Sequence, residues 1–194
     1  MKKDRFVAFF DAVMAIIMTI VVLEFVVPDG SKWEDLGTLW FQILAYALSF
    51  FWLGTFWINI HSVWHHVETV TRAVLHVNLA MLFFSSMIPF FTVYVGRNIG
   101  EKVPQMLFGI DIILIVLCNA ISTELLAKRN EEIKKRIKLL RFSAIIDEAT
   151  KVIGIIIGMT LYPPAVMIST FLSVILLTVI FTVAKKIHVR TCLK

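Results

Sequence analysis

The chain is poor in cysteine and in charge. Its two cysteines stand apart, Cys118 inside an apolar run and Cys192 in a basic tail. Neither has a neighbour at disulfide, metal or redox spacing, so no cysteine framework is expected. A glycine-rich phosphate loop, a His-Glu-x-x-His helix and a nucleophile elbow are all missing from the sequence. These absences argue against an enzyme and against any cofactor or metal. No low-complexity stretch occurs, and no internal repeat relates residues 1–95 to 96–194. The apolar region 6–27 lacks a small-residue cleavage site, is longer than a secretory core and holds two acids. It reads as a retained membrane span and not as a signal peptide.

What the chain does have is hydrophobicity: 59% of its residues are apolar and the mean hydropathy is +0.85. A soluble domain is about 45–50% apolar, so this is an integral membrane protein. Only helices and closed barrels satisfy their backbone groups in lipid. Barrel strands alternate over about ten residues, whereas the runs here continue for about twenty, the length of a helical span. The fold class is therefore all-α. Six transmembrane helices are expected over about 4–27, 37–64, 72–95, 104–126, 142–162 and 165–184, filling residues 1–194 as a single domain. Pro28-Asp29-Gly30 and Tyr162-Pro163-Pro164 mark turns, and Pro104 suits a first helical turn.

The net charge of +5 does not point to nucleic acid, because the basic residues are sorted by loop. The N-terminus, the loops after spans 2 and 4, and the tail hold 15 Lys or Arg; the alternate loops hold three, Lys32, Arg97 and Lys102. By the positive-inside rule both termini face the cytoplasm. Lys151 is left over inside span 5. Trp33, Trp40, Trp52, Trp57 and Trp64 are placed to anchor span ends at the interface.

Span 1 is strongly apolar, yet it carries Arg5 at its start, Asp11 a third of the way in and Glu24 near its end. A lipid-facing charge costs about 2.5–3.5 kcal/mol, so these groups need partners or water. Asp11 lies about 10 Å along the helix from Asp4. His61, near the end of the antiparallel span 2, falls at similar depth. Either Arg5, Asp11 and His61 form a polar cluster that holds span 1, or Arg5 snorkels to headgroups and His61 is exposed. Ile16, Ile20, Leu23 and Val27 share one helix stripe, with Thr19 beside it. Such a stripe faces lipid, packs on neighbours, or lines a pore as a constriction that gates by dewetting. In the last case Thr19 offers the nearest side-chain oxygen.

Other polar residues are harder to assign. His61 and His65 share a face beside His66, but no acid or cysteine completes a metal site, and an interfacial histidine cluster is expected. Asp147 and Lys151 are spaced to neutralise each other, unless that helix enters the membrane only near Val152. Asp111 lies about 10 Å beyond Pro104 along span 4 with no evident partner, and Glu124 closes that span.

The pattern Arg5-x-x-x-Phe9-Phe10-Asp11, followed by Ala15-Ile16-x-x-Thr19-x-x-x-Leu23, resembles the first helix of the transmembrane protein 175 potassium-channel family. That family's signature is Arg-x-x-x-Phe-Ser-Asp. Phe56-Trp57-Ile58-Asn59-Ile60-His61 is similar to its Phe-Trp-x-x-His-His segment, and Asn78-Leu79 with Pro89-Phe90 to its third span. The residue-level likeness covers 5–90; the six-span layout and the basic loop after span 4 agree beyond it. Phe10 stands at the family's Ser, and Ile60 at its first His.

The resemblance implies that Ile16 forms the main constriction, with Ile20 and Leu23 as further rings and Thr19 as polar lining. It implies a homotetramer, with span 1 of each subunit around a central pore. The function implied is a prokaryotic plasma-membrane potassium channel, modestly selective over sodium. The Thr-Val-Gly-Tyr-Gly carbonyl filter is absent from the sequence. Partners would be potassium ions, with sodium or protons as further ions, other copies of the chain and the bilayer. Two alternatives stand beside it: a proton-permeable channel on the same fold, and a proton-coupled secondary transporter resting on Asp11, Asp111, Glu124 and Asp147. A transporter predicts a midplane site and broken helices.

Overall fold

The computed structural model describes residues 3–25, 30 and 32–192. Among these the regular structure is helical, with no strand. In chain order the α-helices are α1 (Lys3–Ile20), α2 (Trp40–Trp64), α3 (Arg72–Ser85), α4 (Ile88–Arg97), α5 (Lys102–Ala127), α6 (Glu131–Thr160) and α7 (Ala165–Cys192). Two 3₁₀ turns, Val21–Glu24 and Trp33–Thr38, lie between α1 and α2. Among the described residues, Lys3–Glu24, Trp40–Trp64, Arg72–Arg97 and Lys102–Ala127 are long and apolar enough to cross a membrane. Ala165–Ile180 is a shorter apolar stretch.

Three helices differ from the sequence expectation for physical reasons. Span 1 is α-helical only to Ile20 and then tightens to 3₁₀ over Val21–Glu24. The β-branched run Ile20-Val21-Val22 favours α-helix least in this segment. The predicted end of the span, with Val27 and Pro28-Asp29, lies outside the described residues.

Span 3 is present but broken into α3 and α4. Pro89 has no N–H and its ring clashes with the carbonyl four residues back, at Ser85. The chain therefore turns at Ser86 and Met87, whose amides donate to the carbonyls of Leu82 (2.9 Å) and Phe84 (2.9 Å). Helix resumes at Ile88 with Pro89 in its first turn.

The basic stretch 128–141 and span 5 form one helix, α6, from Glu131 onward. No Gly or Pro interrupts the charged part. Acids in its first turn suit the helix dipole, and Glu131–Lys134 and Glu132–Lys135 pair one turn apart. Arg141 pairs with Glu124 of α5.

Interhelical contacts use small residues and buried hydroxyls, as expected where lipid gives no hydrophobic drive between helices. A Cβ on Gly96 would sit 2.9 Å from the Gln42 Cα, so α4 packs closely on α2. Ser49 and Thr92 share a hydrogen bond of 2.8 Å between the same helices. Asn78 Nδ2 donates to Ser122 Oγ at 2.7 Å, tying α3 to α5. A Cβ on Gly154 would collide with the Ser169 hydroxyl of α7. Asn130 clasps the α2–α3 loop: its Oδ1 accepts from the amides of Glu68 (2.7 Å) and Thr69 (2.9 Å), and its Nδ2 donates to Thr69 O (3.1 Å) and Leu126 O (2.9 Å).

The expected tryptophan anchors divide. Trp33 and Trp40 are exposed, but Trp52 and Trp64 are buried in the core. Trp52 stacks on Phe56, and its ring lies 5.8 Å from Lys151 Nζ. Lys151 does pair with Asp147, as its spacing requires, and both are buried.

Candidate functional site

Helix α1 has two faces. Phe6, Phe10, Met14 and Ile17 repeat at helical spacing and are buried in the protomer, as is Val21 in the 3₁₀ turn that follows. This face packs on α2, α3 and α4. The other face is apolar as well, yet nothing in the protomer covers it: Ile16 is 61% exposed, Ile20 39% and Leu23 78%. Thr19 lies on the same side and donates its hydroxyl back to the carbonyls of Ala15 (3.0 Å) and Ile16 (3.1 Å). That engages the hydroxyl hydrogen and leaves the oxygen lone pairs free to accept. All four residues singled out for a constriction and its lining thus lie together on the uncovered face.

That face continues into an open apolar groove of about 680 Å³ between α1 and α3, lined by Phe9, Val13, His76, Leu79 and Phe83 among others. Past the C-terminal end of α1, the Arg97 guanidinium donates to the Glu24 carbonyl at 3.3 Å, linking α4 to the end of the first span.

The structure brings Asp11 and His61 together through Trp57, one of the expected interfacial anchors. Trp57 Nε1 donates to Asp11 Oδ1 at 2.8 Å. The Trp57 ring also lies 5.4 Å from the ring of His61. Asp11 and His61 line a small recess with Phe6, Val7, Phe10, Ile60 and Trp64. Arg5 does not join them: it is exposed, and no ion pair among the described residues involves it. The α1 N-terminus is held instead by Lys3, whose Nζ donates to the Val67 carbonyl at 2.6 Å. The spacing of Trp57 four residues before His61 was the available signal, since it puts both on one face of α2.

Phe10, at the position of the family serine, turns into the core, its ring 6.4 Å from that of Phe6. His65 and His66 pack edge to face near the end of α2. Asp111 is buried, and its Oδ2 has no hydrogen-bond partner.

These features define a multi-pass helical membrane protein with an uncovered apolar face on its first helix and a tryptophan–carboxylate bond behind it. The sequence profile described as "Endosomal/lysosomal potassium channel TMEM175" matches residues 5–89. A potassium channel of Chryseobacterium sp. (strain P1-3) is 35% identical over 140 residues, covering 71% of this chain and 73% of that one. The chain belongs to the TMEM175 family. The human endosomal/lysosomal proton channel TMEM175 is 34% identical over 101 residues, 46% of this chain and 20% of its own length. The crystal structure of a lysosomal potassium-selective channel TMEM175 homolog from Chamaesiphon minutus shares the fold, with a TM-score of 0.71 at 21% identity over 91% of this chain and 96% of that one.

Proposed function

We propose that the chain is a potassium channel of the prokaryotic plasma membrane, formed by four copies around an axis lined by α1. The observation that carries this reading is the exposure of Ile16, Thr19 and Ile20 on one side of α1, opposite its buried face, and of Leu23 in the 3₁₀ turn that extends it. Four such faces meeting on an axis give a ring of isoleucines at Ile16, further rings at Ile20 and Leu23, and a ring of hydroxyl oxygens at Thr19. Cyclic closure of identical chains is the usual outcome of such assembly.

An aliphatic ring offers an ion no replacement for its water. Potassium holds its hydration shell less tightly than sodium and crosses at lower cost, which gives modest selectivity without a carbonyl cage. In this reading α6 and α7 supply the fifth and sixth spans of a single domain, with both termini cytoplasmic. Asp11, Trp57 and His61 hold α1 in place from behind, and Arg5 lies at its cytoplasmic mouth.

The test is assembly together with flux. Native mass measurement in mild detergent is expected to give four chains, and liposomes are expected to pass potassium faster than sodium. A monomer with full flux would sink the axial pore. Protons are the second candidate ion, since the human relative is named a proton channel. The same liposomes with an imposed pH gradient decide between the two. Two separate features, the break in span 3 and the buried Asp111 of α5, favour one further reading, proton-coupled transport. That reading requires potassium uptake to stop when the proton gradient is collapsed.

A further inference from the structure

Helix α6 is longer than a bilayer core requires. Its 30 residues rise about 45 Å, against a hydrocarbon thickness of about 30 Å. The helix changes character after Arg141. From Phe142 to Thr160 it measures about 28 Å, close to that thickness. Within this length the ionisable groups Asp147, Glu148 and Lys151 are buried or half-buried, while the exposed Phe142, Ile145, Val152 and Ile156 are apolar. From Glu131 to Arg141 every exposed residue is charged.

The two characters share one face. Lys134, Lys138, Arg141 and Ile145 follow one another at i, i+4, i+7 and i+11, and Val152 and Ile156 extend the same stripe. All six are exposed. A cationic surface therefore runs directly into an apolar one, with Lys138 one turn before Phe142.

The positive charge is only partly met within the chain. Residues 128–141 hold seven Lys or Arg against two acids. Lys134, Lys135 and Arg141 pair with Glu131, Glu132 and Glu124. Lys128, Arg129, Arg136 and Lys138 are exposed and belong to no ion pair among the described residues. Like charges one turn apart, as at Lys134 and Lys138, repel, so the patch favours an anion. Its place is fixed as well. Asn130 ties the turn before α6 to the α2–α3 loop, and Lys3 ties the start of α1 to Val67 of that loop. The charged end of α6 thus lies beside the ends of the other spans.

We propose that this end of α6 binds an anionic phospholipid, its phosphate on Lys134 and Lys138 and its chains along Phe142, Ile145 and Val152. A polybasic segment at the end of a span is suited to such headgroups. A nucleic acid or a free phosphate matches the charge but leaves the apolar stripe uncovered; a phospholipid matches both. The inference rests on the reading of α6 as the fifth span.

The experiment titrates the full chain in mild detergent with dioleoylphosphatidylglycerol or dioleoylphosphatidylcholine and follows lipid binding by native mass measurement. Bound lipid is counted per chain, so neither the number of copies nor the conducted ion enters. The wild type is expected to bind the first phosphatidylglycerol at least about twentyfold more tightly than phosphatidylcholine. One basic residue near an anionic surface contributes about fivefold. Lys134→Gln with Lys138→Gln should therefore weaken phosphatidylglycerol about 20–30-fold and leave phosphatidylcholine unchanged. Arg5→Gln with Lys102→Gln removes the same charge elsewhere and should keep the preference. Glycerophosphoglycerol, the headgroup without chains, should not displace the lipid at equal concentration.

Equal affinity for the two lipids in the wild type overturns the proposal. A preference kept in Lys134→Gln with Lys138→Gln but lost in Arg5→Gln with Lys102→Gln overturns it too. Displacement by glycerophosphoglycerol makes the patch a plain anion site and refutes the lipid. A spin label on Ile153→Cys, with Cys118→Ala and Cys192→Ala, separates these failures from that of the fifth span. Access to oxygen and not to a water-soluble nickel chelate keeps α6 in lipid and confines a failure to the headgroup site. The reverse removes the span, and the proposed site with it.

Discussion

Trp57→Phe is expected to destabilise the protein more than Asp11→Ala, although the carboxylate looks like the more important partner. The indole N–H donates to Asp11 Oδ1 at 2.8 Å in a half-buried setting. A hydrogen bond to a charged group contributes about 1.5–3 kcal/mol. Phenylalanine keeps most of the ring against His61 but removes the donor, leaving a carboxylate partly shielded from water with nothing to meet it. The expected loss is about 2–3 kcal/mol. Asp11→Ala leaves instead a neutral, half-buried N–H, and costs nearer 1–2 kcal/mol, again as a typical magnitude.

The double variant loses the bond once, so the cycle should show a coupling of about 1.5–2 kcal/mol. For a chain of this length 1 kcal/mol moves the thermal midpoint by about 2–4 °C. Trp57→Phe should therefore fall by about 4–12 °C in detergent. Arg5→Ala is the control: an exposed side chain outside every described ion pair should change stability by less than about 0.5 kcal/mol. Additive losses in the double variant refute the bond. A loss in Arg5→Ala equal to that in Trp57→Phe returns Arg5 to the polar cluster and removes Trp57 from it.

Ile16→Asn should wet the proposed constriction, raising liposome flux and lowering the proposed preference for potassium over sodium; unchanged flux and selectivity would remove Ile16 from the proposed pore. Thr19→Val keeps side-chain volume and removes the oxygen, so selectivity should fall without a rise in flux, read from the same liposomes. Ile17→Asn puts an amide into the protomer core and should lower the yield of folded protein, where a pore-facing residue would raise flux instead. Asp147→Ala strands the buried Lys151 and should cost about 3–5 kcal/mol by thermal melt, whereas Asp147→Leu with Lys151→Met should be nearly neutral. Gly154→Ala forces a methyl into Ser169 and should cost about 1–3 kcal/mol in the same melt.

The helices themselves were legible in the sequence, because continuous apolar runs leave lipid-spanning chains little other choice. The Asp147–Lys151 pair was legible too, since both partners lie on one helix and spacing alone decides. What depended on two helices was not. The donor to Asp11 comes from a residue 46 positions away, and Trp57 carries no charge to mark it as a partner. The clasp at Asn130 gave no signal either, because three of its four bonds go to backbone atoms of a distant loop. The break at Ser86 and Met87 had a visible cause in Pro89, yet membrane helices also tolerate proline without breaking, and packing decides between the two outcomes.

Burial of charge explains why α6 differs from α1. Lys151 and Asp147 can stay inside only if each neutralises the other and neighbours keep lipid away. The Trp52 ring of α2 covers the ammonium from one side. Gly154, one turn beyond Lys151, lets α7 come close enough to seal another. Helix α6 is therefore committed on these sides to its own protomer, and its charges make it a poor span by composition alone. Helix α1 has the opposite economy of surface. Its one buried-side charge, Asp11, is satisfied by a single indole. Its far side carries Ile16, Thr19, Ile20 and Leu23 with no partner in the protomer. A face with no charge to hide is free to meet copies of itself, so the proposed tetramer should depend on α1 and not on the charged helix behind it. Charge-removing changes at Asp147 and Lys151 made together should then leave the number of subunits unchanged, while Ile16→Asp should disperse them; native mass measurement of both variants checks this. Dispersal by the first change and not the second would show that α6, not α1, holds the copies together.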